Sequence, residues 1–354
     1  MLSRPSFFLV MVATAFGVLA LLCALPHDRY LRFQGLTDGA VIKAEWIYER
    51  IHFDPTPIDV VFIGTSHSVF GIDSAMVERS CVAAGGLHCG AVNFALQHLG
   101  RDLHWLLARE AIDARRPRLL VIEVQQFEPR AMHPAFPYLA DPSDLASAPV
   151  IINTSYFPDL VRLPLRQLSL FAETWAPSLF GVHSTFDPAR YRGPHWNDTY
   201  AEYGTSEHPL TPHPRIAVHS SAELEYERLH PQGAESAAPM LPSPMRFLEY
   251  RATLIYLQRI IDLARRNGIA VRFLYMPSFN YKAPPEFANY YAKAAPMWDM
   301  PRAINEQPQL WLDVGHLNNA GAVAFSQWLG VKIANPDEPG SSSMADGKIP
   351  TTGR

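Results

Sequence analysis

The chain predicts an α/β fold built on a mostly parallel sheet, and three observations point there. Short, nearly continuous apolar runs of strand length recur, beginning with Val60 to Ile63. They alternate with longer segments of helical periodicity, giving the order β-α-β-α-β between residues 60 and 124. Gly, Pro and capping residues punctuate the junctions. Such runs read as buried parallel strands, and the alternation requires crossover helices.

The order along the chain begins with residues 7–25, FFLVMVATAFGVLALLCAL, which hold no charge. At about 1.5 Å per residue this run nearly matches a hydrocarbon core. It is read as an uncleaved membrane anchor within residues 1–25. A cleaved signal peptide is the alternative, with an unusually long apolar region and Leu22 too large for a lipoprotein site before Cys23. Arg4 precedes the run and Arg29 and Arg32 follow it, so charge does not set its orientation. Residues 26–55 are read as a linker with an amphipathic helix, carrying Val41, Ile42, Trp46, Ile47 and Ile51 on one stripe. Pro55 and Pro57 end that helix.

Strand one is Val60 to Ile63, followed by Gly64-Thr65-Ser66-His67-Ser68. Asp73 or Ser74 caps a helix over 75–83. Strand two spans 91–96, a helix spans 101–115, and strand three spans 119–124. Residues 128–244 break the rhythm with Pro, His, Ser and aromatics. They are read as an insertion over the active edge, with 165–175 helical after Pro164. Its histidines (His183, His195, His208, His213, His219, His230) have no metal-ligand spacing, so surface positions are expected and no metal. A helix from Arg246 to Asn267 is stopped by Gly268. Strand four spans 269–275, and strand five is placed at Leu310 to Leu312. The last helix spans about 319–334, and residues 336–354 lack apolar residues for a core and are expected to be disordered.

The net charge of −4, the 18% charged fraction and the absence of a Lys/Arg run give no nucleic-acid signature. Cys81 and Cys89 flank a short loop and form either a disulfide or two buried thiols. No motif makes either a nucleophile.

The chemistry-bearing residues lie at two distant places. Ser66 follows strand one on a turn, at the sheet edge where α/β proteins do chemistry. Taken alone, Ser66 or Ser68 reads as a helix cap. Asp313-Val314-Gly315-His316 precedes the last helix. An Asp three residues from a His can accept from its Nδ1–H and leave Nε2 facing a hydroxyl. Taken alone, these read as a capping Asp and a surface His. Together with Ser66 they form a nucleophile, base and orienting acid.

Gly64-Thr65-Ser66 with Asp313-x-x-His316 resembles the SGNH (GDSL-like) hydrolase superfamily. The longer block Ile63-Gly64-Thr65-Ser66-His67-Ser68-Val69-Phe70-Gly71-Ile72-Asp73 resembles its membrane-anchored, extracytoplasmic members, found beside polysaccharide and teichoic-acid acylation systems. The resemblance covers residues 56–335 apart from the insertion. It implies a three-layer, flavodoxin-like α/β/α fold with a five-stranded sheet. It also implies a serine esterase or O-acyltransferase without cofactor, with Ser66 the nucleophile, His316 the base and Asp313 its partner. The substrate implied is an acylated carbohydrate or polysaccharide. Membrane lipid around the N-terminal helix and an integral-membrane acyltransferase are the implied partners. The location implied is the bacterial inner membrane, with the catalytic domain in the periplasm. Two blocks depart from the family. His98 stands where Gly is expected, with Gly100 two residues on, and Gln125 and Gln126 stand in place of Gly-x-Asn-Asp. The oxyanion donors and pocket lining would then come from Gly64, Thr65, His98, Gly100, Gln125 or Gln126. The Asn197-Asp198 pair lies inside the insertion and is set aside. Tyr275, Met276 and Asn280 are expected at the rim. The alternative function is a catalytically weak or inactive binding or assembly subunit of an envelope acylation or polysaccharide-export complex.

Overall fold

A computed structural model describes residues 4–36, 39–196, 202–203, 211–212, 219–230 and 241–336. Five strands form one sheet: β1 (Val60–Ile63), β2 (Ala91–Asn93), β3 (Leu119–Val124), β4 (Ala270–Tyr275) and β5 (Met297–Asp299). Their order across the sheet is β2-β1-β3-β4-β5, and every pairing is parallel. This is the flavodoxin-like order, with its direction of growth reversing between β1 and β3. The reversal opens a crevice at the carboxyl ends of those two strands, and Ser66 emerges there.

The sheet is buried because its strands are apolar on both faces. All four residues of β1, Val-Val-Phe-Ile, are buried. Val61 and Ile63 join one core layer, and Val60 and Phe62 join the other. The main helices, in chain order, are α1 (Arg4–Cys23), α2 (Arg29–Gln34), α3 (Ala44–His52), α4 (Ser66–Gly71), α5 (Ser74–Ala83), α6 (Arg101–Arg115), α7 (Tyr156–Trp175), α8 (Ser221–Leu229), α9 (Arg251–Arg266) and α10 (Asn319–Ala334), with further short helices between them, Ala288–Ala294 among these. Helices α3, α6 and α9 cover one face with Ile47, Leu107, Ile112, Leu257 and Ile261. Helices α5, α8 and α10 cover the other with Val77, Leu224, Phe325 and Leu329.

Residues 26–55 do more than link. Phe33, Trp46, Ile47 and Ile51 are part of the main core. Buried Arg50 donates to the carbonyls of Thr56, Pro57 and Pro194. Trp46 Nε1 donates to Gly193 O and the Tyr191 hydroxyl donates to Asp54. The stretch before Trp196 therefore packs on α3, away from the strand ends that it was expected to cover.

Four sequence expectations are corrected. Strand five is Met297–Asp299, paired beside β4, and not Leu310 to Leu312. Pro308 starts a 3-10 turn there, and Trp311 makes only an isolated bridge to Leu317. Pro164 does not open a helix but lies buried inside α7, which begins at Tyr156. Its missing N–H costs one helical bond, and burial of Leu163 and Leu170 offsets the loss. The helix expected from Arg246 starts with a 3-10 segment, Ser243–Leu248, before α9. Thr65 caps α4, and neither Ser66 nor Ser68 does. Asn197, Asp198, His208, His213 and the tail 337–354 lie outside the described residues.

Helix α1 forms over the apolar run. Among the described residues, no helix is long and apolar enough to cross a membrane.

Cys81 and Cys89 are joined by a disulfide, and Cys23 is free. Alkylation of the unfolded, unreduced protein should add one label, and alkylation after reduction should add three, as read by intact mass. A buried ion pair ties α6 to the end of β3. Arg101 pairs with Glu128, whose Oε1 also accepts from the Tyr291 hydroxyl. Removing one partner strands a buried charge. Glu128→Ala should lower unfolding free energy by about 3–5 kcal/mol in urea titrations.

Candidate functional site

Ser66 and His316, 250 residues apart, meet above the crevice. His316 Nε2 lies 2.9 Å from Ser66 Oγ. On the other side of the ring, Nδ1 lies 2.9 Å from both carboxylate oxygens of Asp313. A carboxylate only accepts, so Nδ1 carries the proton and donates. Nε2 is then the acceptor for the Ser66 hydroxyl.

The Asp313 arm is built locally. Leu312 N–H donates to His316 O at 2.8 Å, closing a tight turn. Asp313 Oδ1 accepts from the backbone N–H groups of Gly315 (2.7 Å) and His316 (2.9 Å). Burial alone would raise the Asp313 carboxyl, but the His316 bond and these backbone donors outweigh it and hold it below its ordinary value. The His316 ring sits edge-on to Phe70, with centroids 4.8 Å apart, and to His67 at 5.5 Å.

The Ser66 arm rests on a buried carboxylate that sequence reasoning missed. Glu123, on β3, reaches beneath the turn after β1. Its Oε2 accepts from Thr65 N–H (2.8 Å) and Ser68 N–H (3.0 Å). Its Oε1 accepts from the Thr65 hydroxyl (2.7 Å) and Gln125 Nε2 (2.7 Å). Burial pushes the Glu123 carboxyl up, but nearby His67 and these donors hold it below the ordinary carboxylate value. The start of α4 adds a favourable dipole. A Cβ on Gly64 would lie 2.3 Å from Glu123 Oε2 and 2.3 Å from Ser68 Oγ, so this approach needs glycine. The only sequence signal for Glu123 was a lone acid in an apolar strand.

Further bonds fix the same turn. His104 Nδ1 lies 3.1 Å from Arg101 NH1, and its Nε2 lies 3.1 Å from Gly64 O. Arginine only donates and a carbonyl only accepts, so His104 is neutral with its proton on Nε2. Burial and Arg101 lower its basicity in the same sense. Asn93 Nδ2 donates to the carbonyls of Ser68 (2.9 Å) and Ile72 (3.0 Å), clamping α4. His67 donates from Nδ1 to Met276 O at 3.0 Å, and burial lowers its basicity too.

The proposed oxyanion donors fare differently. Gln125 Nε2 is taken by Thr65 Oγ1 (2.6 Å) and Glu123. Gln126 Nε2 bonds Ser278 Oγ at 2.5 Å. Both N–H groups of the Gln125 amide are thus occupied, and one of the Gln126 amide. Thr65 turns inward to Glu123 and caps α4. Gly100 caps α6 and is needed for close packing, since a Cβ there would lie 2.3 Å from His133 Cβ. His98 takes φ of +70°, the left-handed backbone that Gly favours. The Ser66 N–H has no acceptor among the described residues. It stands at the first turn of α4, where helix N–H groups point outward.

Helix α8, from the insertion, reaches the site: Glu227 Oε2 accepts from Val314 N–H at 3.1 Å. A cavity of about 380 Å³ lies past the ends of β4 and β5, lined by Tyr275, Tyr281, Met300, Arg302 and Asn305. Neither Ser66 nor His316 lines it, so Tyr275 borders this cavity and not a pocket at Ser66. Met276 is buried, and Asn280 takes a left-handed φ of +53°.

Among the described residues, Glu45, Glu49 and His183 bring ligand atoms within 4.8 Å of one another. His183 Nε2 lies 2.9 Å from Glu45, and the Tyr30 hydroxyl donates to Glu49 at 2.5 Å.

Both Glu123 and Asp313 are depressed from ordinary values of 4.5 and 3.8. Their stabilisation is therefore present above those values and lost as pH falls through the lower folded ones. Glu123→Gln should cost about 2–4 kcal/mol at neutral pH. It should also flatten the loss of stability below pH 4.5, as followed by circular dichroism during acid titration. No family model matches the chain, and no curated protein matches it.

Proposed function

We propose that the chain is an SGNH-type serine acyl-ester hydrolase or O-acyltransferase. It works outside the cytoplasm on an acylated cell-envelope polysaccharide, and residues 7–25 tether it to the inner membrane. The observation that carries this reading is the hydrogen-bond line from Ser66 Oγ through His316 to Asp313. In the reaction, Ser66 Oγ bonds the acyl carbon and its proton passes to His316 Nε2. Asp313 stabilises the imidazolium that forms. The tetrahedral intermediate collapses, the ester C–O bond breaks, and His316 returns the proton to the leaving alkoxide. Water or a sugar hydroxyl then attacks the acyl-enzyme by the same steps in reverse. The Ser66 N–H donates to the developing oxyanion in this reading, an interaction worth about 3 kcal/mol per donor.

Two further observations support the location. The Cys81–Cys89 disulfide fits an oxidising compartment. Helix α1 is apolar around its whole circumference, as a segment in lipid is.

A second reading has its own support, namely that both N–H groups of the Gln125 amide and one of the Gln126 amide are engaged elsewhere. With the family's side-chain donor missing, the chain would be a weak or inactive SGNH-like subunit of an acylation or export complex. The test is p-nitrophenyl acetate turnover and fluorophosphonate labelling of the full chain. Activity lost by roughly 10³-fold or more in Ser66→Ala and His316→Ala, with labelling at Ser66, is expected. Turnover unchanged in Ser66→Ala would sink the catalytic reading. A wild-type chain that neither turns over ester nor takes label would favour the second.

A further inference from the structure

Helix α7 carries apolar side chains on both of its faces. Leu163 and Leu170 face the protein, together with buried Asp159 and Gln167. On the outward face Phe157, Val161, Leu165, Leu168 and Trp175 recur at helical spacing, and Leu179 continues the line. Val161 is 77% exposed, Leu165 71% and Trp175 76%. The stripe runs for roughly 30 Å at helical rise. A helix face turned to water is ordinarily polar, and an exposed apolar patch of this extent marks an interaction surface.

What covers it is indicated by its neighbour. Helix α1 packs against α7. Gln167 Nε2 donates to Cys23 O at 3.3 Å, and Asp28 N–H donates to Thr174 Oγ1 at 3.1 Å. Phe8, Leu9 and Phe16 of α1 are themselves exposed. Two packed helices thus both turn apolar side chains outward. Arg162 is exposed beside the stripe, Asp159 is buried and Glu173 accepts from Ser169. Phe157 and Trp175 belong to the stripe, as aromatic residues do on helices that lie in a bilayer interface.

We propose that the outward face of α7 is a lipid-contacting surface, lying in the plane of a bilayer at the boundary of headgroups and acyl chains, beside α1. A helix in this position need not span. Its contact would hold the sheet domain against the membrane and keep it from swinging on the short connection after α1. The inference rests on the reading of α1 as a membrane segment.

The test uses the full chain in vesicles of phosphatidylcholine and phosphatidylglycerol. A Cys23→Ser background leaves the disulfide as the remaining cystine. Single cysteines replace Phe16, Leu165 or Val331, the last on α10 in the opposite layer, and each carries an NBD fluorophore. Expected are blue-shifted emission and strong quenching by doxyl-labelled lipid at positions 16 and 165, with neither at 331. Quenching at 16 without 165 would overturn the proposal and leave the anchor standing. No quenching at either position would remove both. A blue shift at 165 without lipid quenching, together with disulfide-linked dimers of unlabelled Leu165→Cys, would assign the face to a second copy and overturn the proposal. The same blue shift without quenching or dimers would assign it to protein contacts and overturn it equally.

Discussion

The site depends on one buried carboxylate. Glu123 sits at the end of β3 and receives four donors, three of them from the turn that carries Ser66. A charge at this depth is tolerated only when its lone pairs are filled. The backbone of Thr65 and Ser68 fills two of them, so the turn is held in the shape that the charge requires. Gly64 permits the approach, because any side chain there would occupy the space of the carboxylate. The charge and the turn therefore specify each other.

This arrangement explains why the crevice at the switch point can present a hydroxyl without mobility. The bonds radiate outward. Arg101 holds the Glu123 carbonyl at 2.9 Å, pairs with Glu128 and sets the tautomer of His104, which in turn holds Gly64 O. Asn93, from the far side of β1, clamps the carbonyl end of α4. Strands β1, β2 and β3 thus each contribute a polar side chain or a turn to one network. The sheet positions those groups to within a hydrogen bond. The Asp313 arm closes on its own backbone, and Val314 ties it to Glu227 and Phe279.

The Ser66, His316 and Asp313 assignments were legible because each lies on a turn next to an element with clear apolar periodicity, and because Asp-x-x-His has local meaning. The sheet strands from β1 to β4 were legible as short, mostly apolar runs bounded by turn residues, although β2 ends at Asn93 and not at Leu96. Strand five was misplaced because Met297-Trp298-Asp299 is too short to announce itself, while Leu310-Trp311-Leu312 is apolar for packing reasons. Pro164 hid half of α7, since burial overrode the local cost. Glu123 and His104 were invisible as site residues. Their roles are made of contacts across strands, and nothing in their neighbours along the chain encodes those contacts. Gln125 was named for a role that its bonds to Thr65 and Glu123 do not leave open, whereas Gln126 spends one of its two N–H groups on Ser278.

By itself, the sequence determined the α/β class, the apolar N-terminal helix, and the two short blocks that bring a hydroxyl, an imidazole and a carboxylate to strand ends and turns. Periodicity and capping are local, so they can be read locally. Only the tertiary structure decided the strand order, the edge strand, the burial of residues 26–55, the disulfide and the carboxylate beneath Ser66. Each of these is a pairing between residues far apart in the chain. The energy of such a pairing depends on desolvation and distance, which no residue carries alone.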